Sequence, residues 1–167
     1  MNESIRKKEY TPIGIFKKSI RNYKALLTSF LLLPLFATSQ WIQEGNQIFG
    51  EQSMDRLGYT PSTLELSADG LTVASSSPWN AGGGYQAGST RIFSWDGSNW
   101  VQKGSDIDGS LSSRSGWAID LSADGSTVII GSPIDNGDQG RVVIYEWSSS
   151  NNDWIQKGTS LTGGTGS

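Results

Sequence analysis

Residues Gly116–Pro133 read GWAIDLSADGSTVIIGSP, and the fold of the chain is decided there. Trp117, Ile119 and Leu121 alternate with Ala118, Asp120 and Ser122, the period of a strand with one apolar face. Ser122-Ala-Asp-Gly125 supplies a turn in which the glycine can take a positive φ. Ser126–Pro133 then carries three apolar residues in succession, Val128, Ile129 and Ile130, as expected of an interior strand covered on both faces. Beyond the polar loop IDNGDQG, Arg141–Trp147 is rich in β-branched and aromatic residues and reads as a third strand. SSSNND turns the chain, and WIQKG (Trp154–Gly158) returns as a fourth, outer strand.

The same unit is written earlier. LSADG occurs at Leu66–Gly70 and again at Leu121–Gly125, and Ser77-Pro78 recurs as Ser132-Pro133, both 55 residues apart. RIFSW (Arg91–Trp95) answers VVIYEW (Val142–Trp147), and WVQKG (Trp100–Gly104) answers WIQKG. Landmarks whose spacings agree within a few residues mark a duplicated unit of about 55 residues with loop-length differences. In each copy a short loop, WDGSNW in the first, sets two tryptophans on facing strands (Trp95 with Trp100, Trp147 with Trp154), a cross-strand pair contributing up to about 1 kcal/mol. Tandem four-stranded antiparallel units are the blades of a β-propeller. A third copy of the phrase, WIQEG at Trp41–Gly45, has no blade before it and is expected to be an orphan outer strand.

Composition divides the chain at residue 40. Up to Lys24 there are seven basic residues and two acidic ones; from Gln40 onward there are six and fourteen, so the later part carries about −8. Between them Ala25–Ala37 is mostly apolar and is followed by small residues. A basic n-region (1–24), a short h-region (25–37) and a small-residue exit predict a helical secretory signal peptide over 1–39, cleaved before Gln40. The run is short for a bilayer span, which takes roughly 20 residues, and Pro34 interrupts it; an uncleaved anchor is the alternative. The chain has no cysteine and no histidine, which removes disulfides, Ser-His-Asp and Cys-His triads and the usual zinc sites. An acidic domain has no electrostatic reason to bind nucleic acid.

With these landmarks in place the chain resembles the FG-GAP-type repeats of integrin α-chain heads and of secreted bacterial and algal surface proteins. Leu57-Gly58 and Ser115-Gly116 stand where that family has Phe-Gly. Ser76-Ser77-Pro78 and Gly131-Ser132-Pro133 stand where it has Gly-Ala-Pro, and Gly140–Tyr145 is similar to its third strand. The resemblance implies an all-β, incomplete propeller: outer strand and linker at 40–56, one blade at 57–104, a linker at 105–115, a second blade at 116–158 and the opening of a further linker at 159–167. Two blades leave open edges, so the resemblance implies a fragment of a longer ring, or copies that self-associate through those edges.

Function is expected to be non-enzymatic: adhesion or scaffolding, secreted or on the outer cell surface, toward a protein or glycan, with no stable membrane span once the signal is removed. The rivals are a propeller belonging to a polysaccharide-degrading or carbohydrate-binding enzyme, and a truncated product without a function of its own. No catalytic residue and no cofactor is assigned. Calcium is the one ion with some of its ligands present, since the family's metal loop aligns with Asp120, Ser122 and Asp124. Its last acidic position is Val128, and calcium wants six to eight oxygens. Glu65, Ser67 and Asp69 repeat the pattern more weakly, and Asp135 and Asp138 form a second oxygen cluster on a glycine-rich loop. Asp106 and Asp108, two apart on a linker, have nothing to hold them at a glycosidase separation. Six tryptophans occupy strand or repeat-equivalent positions; Trp79, with Tyr85 nearby on the loop, is the aromatic pair to test as a ligand contact.

Overall fold

The alternating segments become two antiparallel sheets joined by turns. The computed structural model describes residues 42–164, so the expected signal segment and Trp41 lie outside the described residues. The compact body begins at Gln43. Its first sheet holds β1 (Leu64–Leu66), β2 (Thr72–Ser77), β3 (Ser89–Trp95), β4 (Trp100–Gln102) and β5 (Ile107–Asp108). The second holds β6 (Ala118–Leu121), β7 (Thr127–Ser132), β8 (Arg141–Ser148), β9 (Asp153–Gln156) and β10 (Leu161–Thr162). In each, the first three strands pair in sequence order, and the third is edged by two short strands end to end, β4 with β5 on β3 and β9 with β10 on β8. The outer strand expected in each unit is therefore split.

Register repeats as well. Val73 faces Phe93 and Val128 faces Tyr145; Trp95 faces Trp100 and Trp147 faces Trp154. The indole pairs meet at 5.4 and 5.5 Å between centroids, tilted by 57° and 64°. Directly opposed residues share a face. Each sheet thus has a front, bearing Leu64, Leu66, Val73 and Phe93 in the first and Ile119, Leu121, Val128 and Ile130 in the second. Each also has a back, bearing Ala74, Ser76, Thr90 and Ile92 in the first and Ile129, Gly131, Val142 and Ile144 in the second.

The core lies between the back of the first sheet and the front of the second. Ala74, Ile92 and Ile107 cluster there with Ile119, Leu121, Val128, Ile130 and Trp154, with Tyr145 and Trp147 against them. Small residues let the backbones close in: a Cβ on Gly116 would stand 2.5 Å from that of Ser76, whose hydroxyl donates to the Gly116 carbonyl at 2.6 Å.

Three expectations change. The Val128–Ile130 run is covered on one face only, since Val128 and Ile130 are buried while Ile129 is 36% exposed among the described residues. Trp117 lies before β6 and is 41% exposed, so it is not the first inward residue of that strand. Residues 42–50 form no strand, because a strand needs a neighbour to share its hydrogen bonds and none of the described strands pairs with them.

Candidate functional site

The repeated phrase builds a contact between successive units. In all three copies the glutamine amide folds back to donate to the carbonyl of its glycine: Gln43 to Gly45 at 3.5 Å, Gln102 to Gly104 at 3.2 Å and Gln156 to Gly158 at 3.0 Å. Each glycine holds a positive φ, +73°, +82° and +74°, which an L side chain resists. The three glycines differ in what they touch. Gly104 lies on the next unit's tryptophan pair, with a built Cβ 2.8 Å from Trp154 and 2.9 Å from Trp147. The Trp154 indole N–H donates to the Lys103 carbonyl at 2.7 Å, and Asp153 accepts the Ser105 N–H at 2.8 Å. Gly45 packs likewise on Trp95, while Asn46 exchanges hydrogen bonds with the Trp100 backbone at 2.7 and 3.2 Å. A Cβ on Gly158 would meet nothing within 4 Å among the described residues.

Electrostatics track the same joint. The Lys103 ammonium sits 5.0 Å over Trp147 and 5.4 Å over Trp154 and donates to the Gly125 carbonyl at 3.2 Å. Burial pushes its pKa down, and the Asp124 and Asp69 carboxylates counter that. The Ser105 N–H, then the Trp154 N–H, hold Asp153 below the usual carboxylate range.

At one end of the sheets the loops assemble an aromatic cluster. Trp79 packs edge-on to Tyr59 at 5.0 Å and against Trp117 at 5.4 Å; Arg56 lies over Trp79 at 4.7 Å and over Tyr59 at 5.0 Å, and Arg114 lies 5.9 Å from Trp117. Cation–π contacts of this kind contribute about 0.5–1 kcal/mol each when exposed. Tyr85 is not part of the cluster; it is exposed and its hydroxyl accepts from the Gln86 amide. The sequence points to Trp79 and not to Tyr59, Arg56 or Trp117, which reach it from two loops. Equivalence of Tyr59 with Trp117, each following the glycine of its Leu-Gly or Ser-Gly pair, was the signal available.

The candidate oxygen ligands are dispersed rather than convergent. Asp124 accepts from the Ser122 hydroxyl at 2.6 Å, the Ser126 N–H at 3.0 Å and the Ser126 hydroxyl, which together hold its pKa at about 2. Asp120 lies on β6, facing Ile129 on the exposed back of the second sheet. Asp135 pairs with Arg141, and Asp138 sits in a turn where Asn136, Gly137 and Asp138 all have positive φ. Among the described residues no group of three acidic side chains converges to hold a metal ion. A buried polar knot missed in the sequence is Asp55, which accepts from the backbone of Glu51 and Gln52 at 2.9 and 2.7 Å and from the Asn80 amide at 3.2 Å.

On the back of the second sheet lies a groove of about 410 Å³, lined by Trp117, Gly131, Val142 and Leu161 together with Arg141 and Gln139. Among the described residues no helix is long and apolar enough to cross a membrane. No protein-family model matches the chain, and no curated protein sequence does either.

Proposed function

We propose that the chain is an exported, non-enzymatic repeat protein of the FG-GAP β-propeller kind, whose two sheets are blades and whose work is adhesion or scaffolding at the cell exterior. The observation that carries this reading is the packing of the back of one sheet on the front of another that repeats its strand order and register. Units stacked that way radiate from an axis, and rings of this sort close with four to eight blades. In this proposal the two sheets belong to such a ring. Residues 1–39 act as the export signal. The engagement of Asp124 by its own turn and of Asp135 by Arg141 supports a binding role over a hydrolytic one.

A second reading, carbohydrate recognition, has one observation in its favour. Tyr59 and Trp117 present exposed ring surface beside Trp79, and such surface stacks on sugar rings. One experiment separates the readings. The full chain is expressed with a carboxy-terminal tag, its amino terminus is read by mass spectrometry, and the recovered protein is immobilised and challenged with cells and with soluble polysaccharides. A new terminus at Gln40 and retention of cells without polysaccharide cleavage fit the proposal. Retention inside the cell with an intact Met1 contradicts export, and release of oligosaccharides contradicts a non-enzymatic role.

A further inference from the structure

Among the described residues, the interface used once inside the chain leaves much of each of its halves exposed at the two ends of the body. Counterparts across the repeat make this visible. Ile107 is 7% exposed in the core, but Leu161, its equivalent on β10, is 62% exposed. Ala74 is fully covered, whereas Ile129 in the same place is not. On the opposite side, Leu64 and Leu66 are 52% and 58% exposed, while their counterparts Ile119 and Leu121 are buried. Gly116 is crowded by Ser76 and Thr90, yet a Cβ on Gly58 would meet nothing within 4 Å among the described residues.

Gly131 is the more telling residue. A glycine in a strand interior weakens the strand, and often marks a place where another backbone comes close. Among the described residues a Cβ at Gly131 meets only ordinary contact, 3.5 Å to the Ala118 carbonyl. Its counterpart Ser76 lies directly under the Gly116 backbone. The loop that covers the first sheet there is tied down by its own backbone, Ser112 to Tyr85, Arg114 to Gln86 and Ser115 to Ala87, all at 2.9–3.0 Å. The groove from Trp117 to Leu161 is the corresponding seat on the second sheet, without its loop.

We propose that this groove receives a second copy of the chain, which seats its Gly50–Tyr59 loop and the front of its first sheet there, as Gly109–Trp117 and the second sheet seat on the first. The occupant is set by continuity: this chain carries the complementary half of an interface it already makes. A front docked on a back is a heterologous contact, which repeats head to tail and either closes into a ring or runs on. One edge is contested, because residues 43–50 of the incoming copy and 154–163 of the receiving copy are repeat-equivalent and claim the same slot; the receiving copy's segment, already paired to β8 as β9 and β10, keeps it, and the incoming segment lifts away. The inference rests on the packing of sheet on sheet, and export or sugar binding can fail without touching it.

The test is analytical ultracentrifugation of the full chain over a dilution series, with two single-face variants. Leu161→Arg blocks the back and Leu66→Arg the front; both sites are more than half exposed, so the fold is retained, as circular dichroism checks. Wild-type chain associates with concentration. Each variant alone loses association by about a hundredfold or more, the effect of burying an unpaired charge. Mixed in equal amounts, the two form a one-to-one dimer through the pair of faces left intact. A third variant, Gly131→Val, keeps or raises the melting temperature and loses association. A wild-type monomer at all concentrations, self-association that survives in either arginine variant, or a Gly131→Val chain that associates normally each overturns the proposal.

Discussion

Replacing the phrase glycine by alanine at each of its three positions asks whether the joint between units is real. All three glycines have nearly the same backbone, φ +73° to +82°, so the cost of an L residue in the left-handed region, about 1–2 kcal/mol, is common to all. The surroundings differ. At Gly104 the new Cβ would press on Trp154, Trp147 and the Asp153 carboxylate at 2.8–2.9 Å, and forced overpacking adds about 1–3 kcal/mol. Gly104→Ala is therefore expected to cost about 2–5 kcal/mol and Gly158→Ala about 1–2 kcal/mol. For a body of this size that is a fall in melting temperature of about 8–20 °C against about 4–8 °C. Gly45→Ala should fall between them, since its exposed segment can lift off Trp95 at limited cost. Urea unfolding followed by tryptophan fluorescence reads the series directly, because the rings that report are those that move. Equal losses at Gly104 and Gly158 would defeat the expectation, for then the backbone alone sets the cost and the contact with the next unit contributes nothing.

Further outcomes depend on the same packing and turns. Ile130→Ala should cost about 2–5 kcal/mol by urea denaturation and Ile129→Ala under about 1 kcal/mol, although the two are neighbours of one type, because only the first is buried. Asp124, Asp153 and Asp69 have folded pKa values below the ordinary 3.8, so the stability they lend is complete above about pH 4 and is lost as pH falls toward the Asp124 value of about 2. A melting temperature that is flat from pH 5 to pH 2 would contradict it. Ser122→Ala removes the first hydroxyl donor to Asp124 and should raise that carboxyl's pKa toward 3.8, readable by carbon-detected NMR titration. Trp79→Ala should release Arg56 and expose Tyr59 further while leaving the core between the sheets intact, giving a small loss in melting temperature and a clear change in near-ultraviolet dichroism.

What was legible in the sequence is what depends on neighbours along the chain. Alternation at 117–122, the Asp-Gly turns and the tryptophans bracketing WDGSNW all act over a few residues, and the strands, turns and cross-strand pairs they imply are present. The repeat allowed one unit to be read from the other. Contacts between residues far apart were not legible. Trp117 reads as a strand residue by parity, yet it lies just ahead of β6, where Gly116 and Trp117 both donate to the one Gly131 carbonyl, and it packs on Trp79, 38 positions away. The two-residue strands β5 and β10 leave no periodic trace, since a period needs more than one cycle to show. Asp55 and Asn80 look like loop polar residues, and only the folded loop reveals that they satisfy each other in the interior. The apolar Val128–Ile130 run reads as covered on both faces, and its bare back face is where the candidate docking groove lies.

Everything turns on whether the back of the first sheet lies on the front of the second. A methyl NOESY spectrum of the folded chain measures that contact. Cross-peaks should join methyl groups of Ala74, Ile92 and Ile107 to those of Ile119, Leu121, Val128 and Ile130. Spectra with strong peaks inside each group and none between the two would rule out the shared core, for the sheets would then be separate bodies on one string.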